Sequence, residues 1–293
     1  MRYLIIGGTG VIGNKIVQHL LLKKEDVMFT FLNNRQIFEN SYLLDIQDSV
    51  KTKNLIKKIK PDIVIHCAAI SNIDLCETNK ELAESINVLG TKNIVEGCLE
   101  VNAKIIYVST SFVFDGKRKY TENDSATPST FYGQTKLKGE QIIQESNLPY
   151  LILRTDQPYC WKESWQHTNS VIRVINSLKN NKKFFEIEDW FNVPTYVPDF
   201  VNATMKLIES KKEGIFHVSG TDFINRYEWA KITSKIFQLN SNLIESVNSS
   251  VLNLPTKRVD GNLNNDKLFQ EIGMRMMGIE EGLKEMLKEN PKC

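Results

Sequence analysis

Apolar residues fall along this chain in short continuous runs, separated by longer stretches that repeat with a helical period. The segments "RYLIIG", "VMFTFL", "SYLLDI", "DIVIHCAA", "KIIYVST" and "PYLILR" are apolar at most positions. Runs of that length predict strands buried on both faces. Between the first two, Ile12, Ile16 and Leu20, together with Val17 and Leu21, recur at the spacing of one helical face. A longer helix is predicted over 78–101, "TNKELAESINVLGTKNIVEGCLEV". Strand and helix in repetition predict an α/β fold with a doubly wound parallel sheet.

Past Arg154 the pattern loosens. "WKESWQHTNSVIRVINSLKNNKK" reads as an aromatic loop leading into a helix. "FNVPTYVPDFVNATMKLIESKKEGIFHVSG" reads as loop, helix and strand, and the rest as two or three helices around the turn-rich "NLPTKRVDGNLNN". The expected organisation is a sheet domain over residues 1–155 and 192–222, with a smaller lobe over 156–191 and 223–293.

Composition narrows the function class. A chain of 293 residues can bury a sizeable core. Its formal charge of +2 comes without a basic block, so charge supports no nucleic-acid and no membrane partner. The opening "RYLII" is too short for a signal segment, and no apolar run reaches ~18 residues, which points to the cytoplasm. Cys67, Cys76, Cys98, Cys160 and Cys293 form no CxxC pair, so reduced thiols are expected rather than disulfides or a zinc site. His66 and His217 lie in apolar runs and read as packed structural residues.

Chemistry begins at "GGTGVIG". Gly7 permits the tight turn after the first strand, Gly10 lets a pyrophosphate approach the backbone, and Gly13 lets helix pack on strand. The helix N-terminus that follows favours an anion. A dinucleotide cofactor is therefore expected. The second strand ends in "FLNNRQ", with Asn33, Asn34 and Arg35 where a ribose-binding carboxylate would stand. Arg35 suits a 2′-phosphate, so NADP(H) is preferred, with NAD(H) the alternative.

In "YGQTK", Tyr132 and Lys136 share one helix face a turn apart. A free tyrosine titrates near pH ~10. A neighbouring ammonium and an oxidised nicotinamide are expected to lower that value. During reduction of a carbonyl, Tyr132 would protonate the oxygen, Thr110 would orient it by a hydrogen bond, and Lys136 would hold the ribose. No metal is required.

The GxxGxxG spacing, with Gly8 and Thr9 ahead of Gly10, and the YxxxK pair together resemble the extended short-chain dehydrogenase/reductase family, whose fold is Rossmann-like with a smaller C-terminal substrate lobe. "IVIHCAAISNIDLCE", "SINVLGTKNI", "YVSTSFVFDG", "PTYVPDFVNA" and "GIFHVSGTDFINRYEWA" resemble the dTDP-4-dehydrorhamnose reductase family. They also resemble the regulatory subunit of methionine adenosyltransferase, which shares that fold. The resemblance implies a catalytic Thr110, Tyr132 and Lys136, and an active-site asparagine at Asn87. Cofactor contacts are implied from Gly7, Thr9, Gly10, Val11, Ile12, Gly13, Asn33, Arg35, Asp45, Ile46, Cys67, Ala68 and Ala69, with Asp45 beside the adenine. Substrate contacts are implied from Ser111, Gln157, Tyr159 and Arg258.

The chain departs from the family at two places. Ser111 and Phe112 stand where related reductases carry Asp-Tyr and where dehydratases need Asp-Glu, so water elimination is not expected. Gln157 replaces a tryptophan that would touch the sugar, while Tyr159 is retained. Trp161, Trp165 and Trp190 fall in the lobe segments, where they either stack on the substrate or pack the core. The implied function is an NADPH-preferring reductase of a nucleoside-diphospho-4-keto-6-deoxy sugar, as a possible homodimer. A nucleotide-sugar epimerase and a non-catalytic NADP-binding regulatory subunit are the alternatives.

Overall fold

The computed structural model describes residues 1–33 and 39–289. Its centre is a parallel sheet of seven strands: β1 (Arg2–Ile6), β2 (Asp26–Phe31), β3 (Ser41–Leu43), β4 (Ile63–His66), β5 (Lys104–Thr110), β6 (Tyr150–Thr155) and β7 (Gly214–His217). Their spatial order is β7-β6-β5-β4-β1-β2-β3, which reverses direction at β1. Leu4 of β1 sits opposite Met28 of β2 and Val64 of β4, so the switch point lies between β1 and β4. Ligands of such sheets bind outside the carboxyl ends of the strands at that crevice.

The strands read as continuous apolar runs because each face has its own helical layer. Tyr3 and Ile5 of β1 face the Val11–Leu22 helix and the later Val197–Glu209 helix, with Ile16, Val17, Leu20, Phe200 and Leu207. Leu4 and Ile6 face Ile56, Ile94, Val95 and Ile143 on the opposite side. Leu4, Ile5, Ile16, Leu20 and Ile56 are all buried. Each such side chain contributes roughly 1.5–3 kcal/mol of transfer free energy.

The helix expected over 78–101 is interrupted. Ile73–Thr78, Lys80–Glu84 and Gly90–Val101 are α-helical, and Ser85–Leu89 forms a π-turn between the last two. The Asn79 side chain accepts from Leu82 N at 3.1 Å and restarts the helix there. Beyond β6 the second layer is built from the Ser170–Lys179 and Arg226–Ile236 helices against the parallel pair Phe184–Ile187 and Ile244–Val247. The Ile279–Lys288 helix closes the core with Ile279, Leu283 and Met286. No helix among the described residues is long and apolar enough to cross a membrane.

Candidate active site

The glycine loop leaves β1 with Gly7 at φ +80°, and the amides of Gly7 and Gly8 are tied to Thr30 of β2. A Cβ on Gly13 would lie 2.3 Å from the Gly7 carbonyl, so helix and strand could not close with any larger residue. Gly10 is different. It is exposed, and a Cβ there would meet only the Gly7 oxygen, at 3.3 Å. Chain packing accounts for Gly13, whereas Gly10 keeps a face open at the start of the Val11–Leu22 helix. No side chain caps that helix, leaving its first amides for an anion. A cofactor diphosphate fits this cradle.

Around it stand the other expected cofactor contacts. Cys67, Ala68 and Ala69 follow β4, and Ala68 backs directly onto Gly7. Burial pushes the Cys67 thiol up to about 12. Asn33 is exposed just past β2. Asp45 accepts from Gln47 N at 2.9 Å just past β3, while the neighbouring Ile46 is buried against Gly90. Arg35 lies outside the described residues.

Thr110 ends β5, and its hydroxyl accepts from Phe112 N at 3.3 Å, starting a short 3-10 turn over Ser111–Val113. The Phe131–Glu145 helix begins on a Thr130 cap and carries Tyr132 and Lys136 on its buried face. It comes this close because of Gly133, where a Cβ would lie 2.0 Å from the Phe112 carbonyl. Tyr132 is thereby brought near Thr110, whose hydroxyl acts to favour the phenolate. Phe112 meets the Tyr132 ring edge-on at 5.7 Å, and Trp190 and Val259 of the second layer complete the cover.

Electrostatics departs from the sequence expectation. Burial raises the Tyr132 phenol well above its ordinary value, and the neighbouring Thr110 hydroxyl only partly offsets this. The phenol is therefore held protonated, as a proton donor requires. Burial also lowers Lys136 to about 7. Its Nζ donates to the Val108 carbonyl at 2.9 Å and lies 3.9 Å from the Tyr107 ring centroid. Desolvation outweighs the charge effect that the four-residue spacing suggested.

Asn87 is a brace. Its amide accepts from Ile70 N at 2.9 Å and donates to Ile70 O and Thr135 Oγ1, pinning the loop after β4 to the Tyr132 helix. It sits in the π-turn, a helix irregularity frequent at functional sites. His66 is the packed residue its apolar run suggested, with Nε2 3.0 Å from Thr91 Oγ1 and its imidazole kept neutral by burial.

The substrate candidates scatter. Ser111 donates to buried Asp156 at 2.8 Å, next to Thr110. Gln157, at φ +40°, accepts from Arg226 at 2.8 Å. Tyr159 is 1% exposed and packs 5.6 Å from both Tyr196 and Trp229. Trp161 is also a core residue, against Phe237 and bonded to Met286 O. Arg258 is forked onto Asp74, and its guanidinium and that of Arg226 both lie over the Trp190 ring. Sequence reasoning missed Asp74, Asp156 and Arg226. Asp74 and Arg226 lie within segments that carry the family resemblance, but only folding shows what they contact.

This arrangement defines an extended short-chain dehydrogenase/reductase, a class of NAD(P)-dependent oxidoreductases. Residues 1–291 match the family described as RmlD substrate binding domain, and the chain belongs to that family. It is 30% identical to methionine adenosyltransferase 2 subunit beta of Rattus norvegicus, over 96% of this chain and 87% of that one. It is 26% identical to dTDP-4-dehydrorhamnose reductase of Escherichia coli (strain K12), over 99% and 98%. The structure of dTDP-4-dehydrorhamnose reductase from Bacillus anthracis in complex with NADP superimposes with a TM-score of 0.89, at 27% identity and 99% coverage of both chains.

Proposed function

We propose that this chain is an NADPH-dependent reductase of a nucleoside-diphospho-4-keto-6-deoxy sugar. The observation that carries the reading is the convergence of Thr110, at the carboxyl edge of β5, with Tyr132 and Lys136 on the buried face of the helix packed against it. A reduced nicotinamide bound at this edge supplies hydride. Tyr132 gives its proton to the carbonyl oxygen of the sugar, and Thr110 keeps that oxygen in place. Lys136, one turn along, supplies a polar group at the ribose and a charge that answers the phenolate left behind. Gly10 and the Val11–Leu22 helix hold the diphosphate, and Arg35 favours the 2′-phosphate. The NADP complex of the Bacillus anthracis reductase supports the cofactor assignment.

The test is transfer of label. With NADPH deuterated at the transferable position, a dTDP-4-keto-6-deoxy sugar should gain one deuterium at its former carbonyl carbon, with stoichiometric NADP+. An epimerase would recycle its hydride and consume no NADPH.

A second reading rests on the 30% identity to the rat methionine adenosyltransferase beta subunit and on the cover of Trp190 and Val259 over Tyr132. In that reading the chain is a regulatory subunit. Stable co-elution with a methionine adenosyltransferase catalytic subunit, with no carbonyl reduction, would favour it.

A further inference from the structure

The loop between β6 and the Ser170–Lys179 helix returns across the sheet to the glycine loop. Its Trp165 Nε1 donates to the Thr9 carbonyl at 3.3 Å. Its Gln166 Nε2 donates to the Thr9 carbonyl at 3.0 Å and to the Gly10 carbonyl at 3.2 Å. Gln166 is 9% exposed, and its amide cannot turn over freely, because Oε1 accepts from Glu163 N at 3.0 Å. Lys162 Nζ also donates to the carbonyls of Glu163 and Gln166, closing the turn on itself. One end of the Gln166 amide is thus fixed by its own loop, and the donor end is aimed at two carbonyls 156 and 157 residues earlier in the chain.

Those carbonyls belong to the peptides whose nitrogens are Gly10 and Val11. A trans peptide is planar, so a donor that fixes its oxygen also fixes the opposite N–H. The Gly10 amide is bonded back to Gly7 O, and the Gly10 carbonyl already accepts from Asn14 N at 2.9 Å. Gln166 takes the second lone pair of that oxygen. The N–H set in this way is that of Val11, the first residue of the helix. Donors on both carbonyls also reduce the negative potential that bare oxygens would present to an anion.

We propose that Gln166 is a positioning residue for the cofactor diphosphate, orienting the Thr9–Gly10 and Gly10–Val11 peptides from the second layer of the molecule. The inference rests on the proposed function only in assuming that a dinucleotide occupies the glycine loop. It makes the diphosphate half of the site a joint product of two segments, so that order in the 156–169 loop and cofactor affinity are coupled.

The test is calorimetric titration of the full chain and two variants, Gln166→Leu and Gln166→Glu. The glutamate keeps the acceptor for Glu163 N and loses both donors. The ligands are NADP+, ADP-ribose, and adenosine 2′-monophosphate, which has no diphosphate. Both variants should bind NADP+ and ADP-ribose about tenfold more weakly, as for the loss of one or two hydrogen bonds. Gln166→Glu should be the weaker of the two, and adenosine 2′-monophosphate should bind all three proteins alike. Equal weakening toward all three ligands would mean general loosening and would overturn the proposal, as would unchanged binding of ADP-ribose. A wild-type chain that binds none of the three would instead remove the cofactor reading itself, before any variant is considered.

Discussion

Both terminal nitrogens of Arg258 lie 2.8 Å from the two carboxylate oxygens of Asp74, joining the C-terminal part of the chain to the helix that follows β4. Trp190 stacks against the same guanidinium, 5.5 Å from ring centroid to charge, and belongs to the cluster that covers Tyr132. A forked ion pair of this kind fixes geometry as well as charge. In the proposed reductase the Arg258 charge is shared between Asp74 and the substrate diphosphate. Arg258→Ala should raise KM for the nucleotide sugar by about tenfold, the loss of one charge-assisted contact. Asp74→Asn, which leaves Arg258 charged, should leave KM unchanged or lower it. Steady-state kinetics on the two variants checks this, and equal KM increases in both would contradict it.

Lys136 sets a pH dependence. Its folded pKa of about 7 lies below the ordinary 10.5 because the ammonium is desolvated. Between those values the unfolded chain carries a proton that the folded chain lacks, so this group's contribution to stability rises with pH. The cost is complete below the folded value and gone above the unfolded one. Lys136→Met should therefore be stabilised relative to the wild type most at and below pH ~7, with the gap shrinking toward pH ~10. Chemical denaturation of both proteins across that range measures the gap. A gap that is flat or widens with pH would contradict the assignment.

Glu140 lies fully buried on the same helix, accepting from Arg154 at 3.0 and 2.7 Å and from Ser109 at 2.5 Å. Removing one member of such a pair strands the other charge in the core. Glu140→Ala should cost about 3–5 kcal/mol in urea unfolding, whereas Glu140→Leu combined with Arg154→Met should recover most of it. A single-variant loss below about 1 kcal/mol, the scale of an exposed pair, would mean that water reaches this site.

The sheet was legible because strands buried on both faces must be apolar throughout, and "RYLII" and "DIVIH" have that form. The glycine loop was legible because Gly7 and Gly13 answer local demands of turn and packing that no other residue meets. Tyr132 and Lys136 were found by spacing, but spacing carries no information about desolvation, which reverses the expected shift of the phenol. The long helix over 78–101 failed at Asn79, where a side-chain cap competes with helix continuation. The burial of Tyr159 was not legible because the motif around it gives its position in the chain and not the direction it faces. The Asp74–Arg258 and Gln166–Thr9 contacts join residues 184 and 157 apart, beyond the reach of any local pattern.

The most direct measurement is NADPH oxidation by the purified chain against a panel of nucleoside-diphospho-4-keto-6-deoxy sugars, beside Tyr132→Phe. The wild type should turn over at least one sugar. Tyr132→Phe should lose about 10²–10⁴-fold in kcat, the scale of general acid catalysis, while binding NADPH as tightly as the wild type. Undiminished turnover in Tyr132→Phe, or saturable NADPH binding by the wild type with no oxidation on any sugar, would contradict the account.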